Sequence, residues 1–357
     1  MFTNSGSSLL AKYMLGQLPS FATHIAIGCG AKALTAEPSG NPYINQSKLE
    51  FETYRSKIVS RGYVNNGGVP ELSLIAELPT NNRYGITEIA LFPGLENPSA
   101  KDYDSRILLN FVDESYVYNS TSITDISSTT VNIPNSGTIS DSGKTEPFFI
   151  SSSDGQLTSE DREKRLEAPR FLDKALLIKS TSTGTVEARN INIDLSKNSP
   201  EDHVSLAYSF LNDAVGDGLG VQNTYTVTMQ LMTSSETDYY THSFTIDAAS
   251  LADSRYKVES FQIKDLVAVG TSPTLYNINR VRFSIAKTGG SATEVNWLLL
   301  DGLRIDNTSS FNSSFGLVAY KVIINPVTIG MVTLGMPIIK ASNTTNFVEF
   351  RFSLDVT

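Results

Sequence analysis

Few side chains in this sequence are spaced for chemistry. The three histidines, His24, His203 and His242, are far apart, and none forms an H-x-x-x-H pair that would set two imidazoles on one metal ion. Each reads as a surface or strand-face residue. The single cysteine, Cys29, lies between Gly28 and Gly30. A small buried cysteine at a strand end is the stronger reading there than an activated thiol. One cysteine also excludes an internal disulfide and a cysteine-based zinc cluster. The run GDGLG at 216–220 has the wrong glycine spacing for a phosphate loop and reads as a turn. There is no G-x-S-x-G, and no cluster of acids stands out as a catalytic pair. Two carboxylates that meet only in space stay open, since a glycosidase needs such a pair.

Aromatic residues offer a different chemistry. Tyr239 and Tyr240, in SSETDYYTHS, fall near a turn between two strands, where exposed rings can stack on sugar faces. The plainer alternative, which is favoured, puts one tyrosine in the core and the other on a sheet edge. Trp297, in VNWLLLDG, reads as a core plug. Triplets of the form N-x-[ST], as at Asn119, Asn307, Asn312 and Asn343, read as Ser/Asn-rich composition rather than glycan acceptors.

The elements that would position these residues are mostly strands. Residues 3–16 form a short helix with Asn4 or Thr3 as cap. Its apolar pairs are Leu9 with Tyr13 and Leu10 with Met14, and Gly16 and Pro19 stop it. THIAIGCG gives a brief strand through Ile25 and Ile27. LEFETYRSKIV fits a strand or a bulged strand. Asn65, Asn66, Gly67 and Gly68 supply a tight hairpin turn before the alternation of Leu72, Leu74, Ala76 and Leu78. RYGITEIALFPG is a further strand.

Residues 115–160 contain 19 Ser or Thr in 46 positions, too polar to bury much apolar surface, so an exposed excursion is expected. A short charged helix follows at 158–167. From about 171 to 306, alternation such as Tyr225, Val227, Met229 and Leu231 recurs in about eight strands. Eight such strands with no intervening helix predict two packed antiparallel sheets, a jelly-roll sandwich. The closing segment, with Phe347, Phe350 and Phe352, is strongly β-prone but too short to fold alone. It needs a sheet to join, and the N-terminal one is the natural candidate. The expected fold is therefore mainly β. Residues 1–114 and 312–357 form a discontinuous anchor domain with a short N-terminal helix. Residues 115–170 form a Ser/Thr-rich arm with a short helix, and 171–308 an inserted antiparallel jelly-roll sandwich.

Composition narrows the class. The 357 residues carry a net charge of −9 with 18% charged and 40% hydrophobic residues, enough apolar material for a core. The acidic balance argues against wholesale nucleic-acid binding. No apolar run approaches the roughly 18–20 residues of a membrane-spanning helix. The opening MFTNSGSSLLAKY lacks the charged-then-apolar pattern of a secretory signal.

Two stretches resemble known families. TNSGSSLLAKYMLG, THIAIGCG and YGITEIALFPG resemble, in order, the N-terminal domain of tailed-bacteriophage tail-fibre or tail-collar proteins, with its opening helix, its "AIGDG" and its "I-x-EIGLF" strand. The matching positions include Thr3, Gly6, Leu9, Ala11, Ile25, Ala26, Ile27, Gly28, Gly30, Ile86, Glu88, Ile89, Leu91 and Phe92; Cys29 and Ala90 depart from the pattern. NINRVRFSIAKTGGSATEVNWLLLDGLRID is similar to the closing strands of jelly-roll carbohydrate-binding modules through Arg282, Phe283, Trp297, Asp301, Leu303 and Ile305. The first resemblance implies a virion structural protein of the tail, baseplate or neck, assembled in the host cytoplasm. Leu9, Ile25, Ile27, Gly28, Gly30, Ile86, Glu88, Ile89 and Phe92 would be its assembly motif. Its expected partners are other virion proteins and copies of itself, with no cofactor, metal, nucleic acid or membrane. The second implies an alternative, a sugar-binding host-recognition module using Tyr239 and Tyr240, with a host surface glycan as ligand. A polysaccharide-degrading enzyme ranks below both.

Overall fold

The computed structural model describes residues 1–30, 33–93, 106–109, 117–120, 127–133, 137–142, 148–151, 174–180, 183–212, 224–233, 235–247, 256–289, 296–306, 316–329 and 332–353. Helix α1, Asn4–Met14, begins where the Thr3 hydroxyl accepts the Gly6 N–H at 2.9 Å. The same hydroxyl donates to the Leu317 carbonyl, so the cap also ties the helix to a distant part of the chain. Gly16, at φ +71°, leads the backbone out. Only part of the expected apolar face is covered: Leu9 is buried, whereas Tyr13 and Met14 are exposed.

Strands β1 (His24–Gly28), β2 (Glu52–Asn66), β3 (Val69–Leu78), β4 (Tyr84–Ile86) and β5 (Glu88–Phe92) follow. β1 lies between β2 and β5, antiparallel to both, with a register shift against β2 at Ile27/Gly28. The β2–β3 hairpin closes through Gly67 at φ +61° and Gly68 at φ +94°, with Asn66 opposite Val69. A two-residue hairpin turn with positive φ at both centres matches the strands' right-handed twist, and glycine adopts it without steric cost.

The middle of the chain is mostly strand among the described residues, with one 3₁₀ turn at Ile263–Asp265. Its elements are β6 (Arg106–Leu109), β7 (Val117–Ser120), β8 (Ser127–Ile133), β9 (Gly137–Ser142), β10 (Phe148–Ser151), β11 (Lys174–Ser180), β12 (Thr183–Ile193), β13 (His203–Asn212), β14 (Thr224–Met232), β15 (Tyr239–Asp247), β16 (Tyr256–Gln262), β17 (Val267–Val269), β18 (Ile278–Gly289) and β19 (Asn296–Asp306). One sheet runs β10-β11-β19-β13-β16, with β6 also on β19; the other runs β17-β15-β14-β18-β12-β7. Without the short additions the orders are β11-β19-β13-β16 and β15-β14-β18-β12, the interleaving of a jelly roll. One core fills the space between the sheets: Val204, Leu206 and Phe210 of β13 and Leu298, Leu300 and Leu303 of β19 meet Val227 and Met229 of β14 and Val281 and Phe283 of β18.

Within the Ser/Thr-rich stretch the described residues form strands. β7 adds to β12 and β10 to β11, while β8 and β9 pair with each other. Edge addition satisfies backbone hydrogen bonds whatever the side chains, so polar composition does not keep a segment out of a sheet. The expected helix at 158–167 and the GDGLG turn lie outside the described residues.

The last strands are β20 (Ala319–Val322), β21 (Pro326–Ile329), β22 (Val332–Gly335), β23 (Ile338–Lys340) and β24 (Asn346–Ser353). β21 and β22 pair with each other, and the other three pair with the opening of the chain. β20 joins β5, β24 joins β3, and β23 joins β4, giving a sheet in the order β20-β5-β1-β2-β3-β24. The chain divides into two compact units, Met1–Arg106 with Thr308–Thr328 and Thr333–Thr357, and Ile107–Asn307 with Ile329–Val332.

Candidate functional site

The stretches that resemble the phage domain meet in the first unit. In the β1–β5 ladder Ile25 faces Leu91, Ile27 faces Ile89 and Gly28 faces Glu88. Glu88 is fully buried. Its Oε1 accepts the Phe51 N–H at 2.9 Å, and its Oε2 accepts the Glu50 N–H at 3.0 Å and the Tyr320 hydroxyl at 2.7 Å. The Gly30 N–H is a further donor. A Cβ on Gly28 would strike the Glu88 carboxyl and lie 2.6 Å from the Phe51 carbonyl, so glycine there is a packing requirement. Burial pushes the Glu88 carboxyl above its ordinary value, and these hydrogen bonds oppose that push. Burial, then the Glu88 carboxyl beside it, drives the Tyr320 hydroxyl well above its usual range, so it stays a proton donor.

Beside this latch, Arg55 holds Glu52 through two 2.8 Å bonds and lies 3.4 Å over the Phe92 ring. Glu52 and Arg55, both on β2, are buried, as are Glu88 and Tyr320. The same holds for the expected assembly motif. Leu9, Ile25, Ile27, Gly28, Gly30, Ile86, Glu88, Ile89 and Phe92 are all buried. They build the unit and do not present a docking face. Tyr320 was not legible beforehand, because it sits in an ordinary alternating strand 232 positions from its partner.

What this unit does expose is an arm. Beyond Ile58, Val59 and Tyr63 of β2 and Val69 after the turn are exposed, whereas Ser73 and Leu74 of β3 are buried and β24 pairs with β3 as far as Glu71. At the far side of the sheet β24 is the last described strand, and its Phe347 is exposed.

In the sandwich, Tyr239 and Tyr240 begin β15 and point to opposite faces. Tyr240 is paired with Leu231 and packs on the core, so its ring is not a sugar platform. Tyr239 is on the other face, opposite Met232 and Val269. That outer face carries Thr226, Thr228 and Gln230 of β14, Thr241 and Ser243 of β15, and Arg282 and Ser284 of β18. Thr228 and Ser243 bond across the strands at 2.8 Å. Its character is hydroxyl, amide and guanidinium, with Tyr239 at its rim. On the opposite sheet the outward Ser205, Ser209, Tyr256 and Asp301 are instead buried, the last two joined at 2.7 Å.

His242 stacks on Phe261 at 3.7 Å and approaches Glu259 at 3.4 Å. His24 touches its neighbour Thr23, and Cys29 is buried. Among the described residues no group of three or more His, Cys, Asp or Glu is arranged to hold a metal ion. No described helix is long and apolar enough to cross a membrane.

No family model matches the chain, and no curated protein matches it. Solved structures similar to it include a carbohydrate-binding module specific for non-crystalline cellulose, at 8% identity and TM-score 0.28 over 44% of this chain and 86% of that one. A carbohydrate-binding module of the β-sandwich superfamily aligns at 7% identity and TM-score 0.24, over 79% and 85% of the two chains. The enzymatically active domain of tailspike protein 4 of bacteriophage CBA120 aligns at 11% identity and TM-score 0.22, over 55% and 20%. Likenesses this loose transfer no function.

Proposed function

We propose that this protein is a non-enzymatic structural component of a bacteriophage particle, in the tail, baseplate or neck, which docks through its terminal unit and displays the sandwich. The observation that carries this reading is the meeting of the resembling stretches in one place, with β1 beside β5 and Gly28 packed on Glu88. The exposed β2–β3 arm supplies a surface for neighbours. Apolar side chains left in water, such as Val59, Tyr63 and Val69, gain stability when a partner covers them. The test is mass spectrometry of purified particles with immunogold labelling. Stoichiometric presence and label at one position on the tail are expected. Detection only in infected-cell lysate, never in particles, overturns the reading.

A second reading is favoured by the outer face of β14, β15 and β18. Half-exposed hydroxyl, amide and guanidinium groups such as Thr228, Gln230 and Arg282 match the donors and acceptors of sugar hydroxyls. Binding of the full chain to a glycan array tests it.

A further inference from the structure

Strand β24 ends its sheet among the described strands, so one row of its backbone N–H and C=O groups lacks a strand partner there. Its two faces differ. Val348, Phe350 and Phe352 alternate on one side, where Phe352 meets Phe2 at 4.8 Å and Phe350 at 6.1 Å. Phe347, Glu349, Arg351 and Ser353 alternate on the other, and Arg351 bonds Glu349 there at 2.7–2.8 Å.

We infer that β24 pairs with β24 of a second copy of this chain, antiparallel about a two-fold axis at Phe350, joining two six-stranded sheets edge to edge. The surface is self-complementary in a way that sets the register. Directly opposed residues in an antiparallel pair point to the same side of the sheet. A two-fold axis perpendicular to the sheet keeps the apolar side with the apolar side, and it must pass between a residue and its own copy. Centres at residues 349 and 350 pair seven of the eight residues of β24 and centres at 348 and 351 pair five, and the 348 centre leaves Arg351 opposite no residue of β24. Centring on Glu349 opposes two carboxylates, and centring on Arg351 opposes two guanidiniums. Centring on Phe350 opposes each Glu349 to the Arg351 of the other copy. It also sets Phe350 against its equivalent and Val348 against Phe352, an aromatic and β-branched pairing that strengthens sheets. Phe347, exposed in the single chain, then lies beside the new strand. This inference stands apart from the particle reading: it concerns the copy-to-copy contact alone.

Charge reversal in the full chain tests it, with the mass measured by sedimentation velocity across about a hundredfold range of concentration. The wild type is expected to shift from monomer to dimer. Glu349→Arg sets arginine against arginine, and Arg351→Glu sets glutamate against glutamate. Each alone is expected to weaken the dimer by about tenfold or more. The double variant E349R/R351E restores opposite charges and the dimer. A mixture of the two single variants forms a heterodimer, because one chain then presents two arginines and the other two glutamates. Far-UV circular dichroism and the urea midpoint establish that each variant is folded. A wild type that stays monomeric throughout overturns the inference. So does an oligomer indifferent to these reversals, which would place the contact on another surface such as the β2–β3 arm. A single reversal that weakens the dimer with no rescue in the double variant or the mixture overturns the register.

Discussion

The carboxylate of Glu88 and the hydroxyl of Tyr320 meet at 2.7 Å across 232 positions of sequence, and both side chains are buried. The bond joins neighbouring strands β5 and β20, so one acid links the opening and closing parts of the first sheet. Tyr320→Phe keeps the ring in its cluster with Ala26, Leu49 and Phe92 but takes one donor from a buried carboxyl. A loss of about 2 kcal/mol is expected, read from the midpoint of urea unfolding.

Acidity gives that site a signature. The folded-state value of Glu88 is raised above the ordinary 4.5, so between the two values the folded chain holds more protons than the unfolded one. Its contribution to stability is therefore full below pH 4.5 and is lost as pH rises through the raised value. Glu88→Gln does not titrate. The stability difference between wild type and E88Q should favour the wild type most at low pH and decline as pH rises through that window. Paired urea titrations at several pH values measure it, and a flat difference counts against the raised value.

Helix α1 offers a test where two effects have opposite signs. In an exposed helix Gly→Ala gains roughly 0.5–1 kcal/mol. At Gly6 the new methyl would run into the Val318 carbonyl, a backbone atom with little freedom to move. The clash is expected to win, and Gly6→Ala should lower the melting temperature. Thr3→Ala, which removes the cap, should cost about 1 kcal/mol.

Tyr239 and Tyr240 should separate cleanly. Tyr240→Ala removes a ring packed on the sandwich core and should cost about 1–3 kcal/mol. Tyr239→Ala, on the outer face, should change stability by less than about 1 kcal/mol. If the outer face binds a glycan, Gln230→Ala and Tyr239→Ala reduce retention on the array while stability holds. Tyr240→Ala reduces it only as far as it unfolds the chain.

Strand content was legible residue by residue, because a strand with one buried face writes a period of two. Tyr225, Val227, Met229 and Leu231 alternate in sequence and are all buried. The Gly67–Gly68 turn was equally plain, since only a few residue types accept positive φ at two successive positions. The helix start was narrowed to a cap at Asn4 or Thr3, and the structure puts it at Thr3. Each of these signals is settled within a few residues, which is why a mainly β fold with one short helix and a jelly-roll sandwich could be read directly. What depends on partners far away in sequence could not. Only the tertiary structure puts Tyr320 on Glu88, makes the motif residues an interior and not a docking face, and turns Tyr240 inward and Tyr239 outward. It alone draws β7 and β10, from within the Ser/Thr-rich stretch, onto sheet edges. A side chain's spacing tells which neighbours it shares a face with, but the opposing strand determines whether that face is buried, paired or left to water.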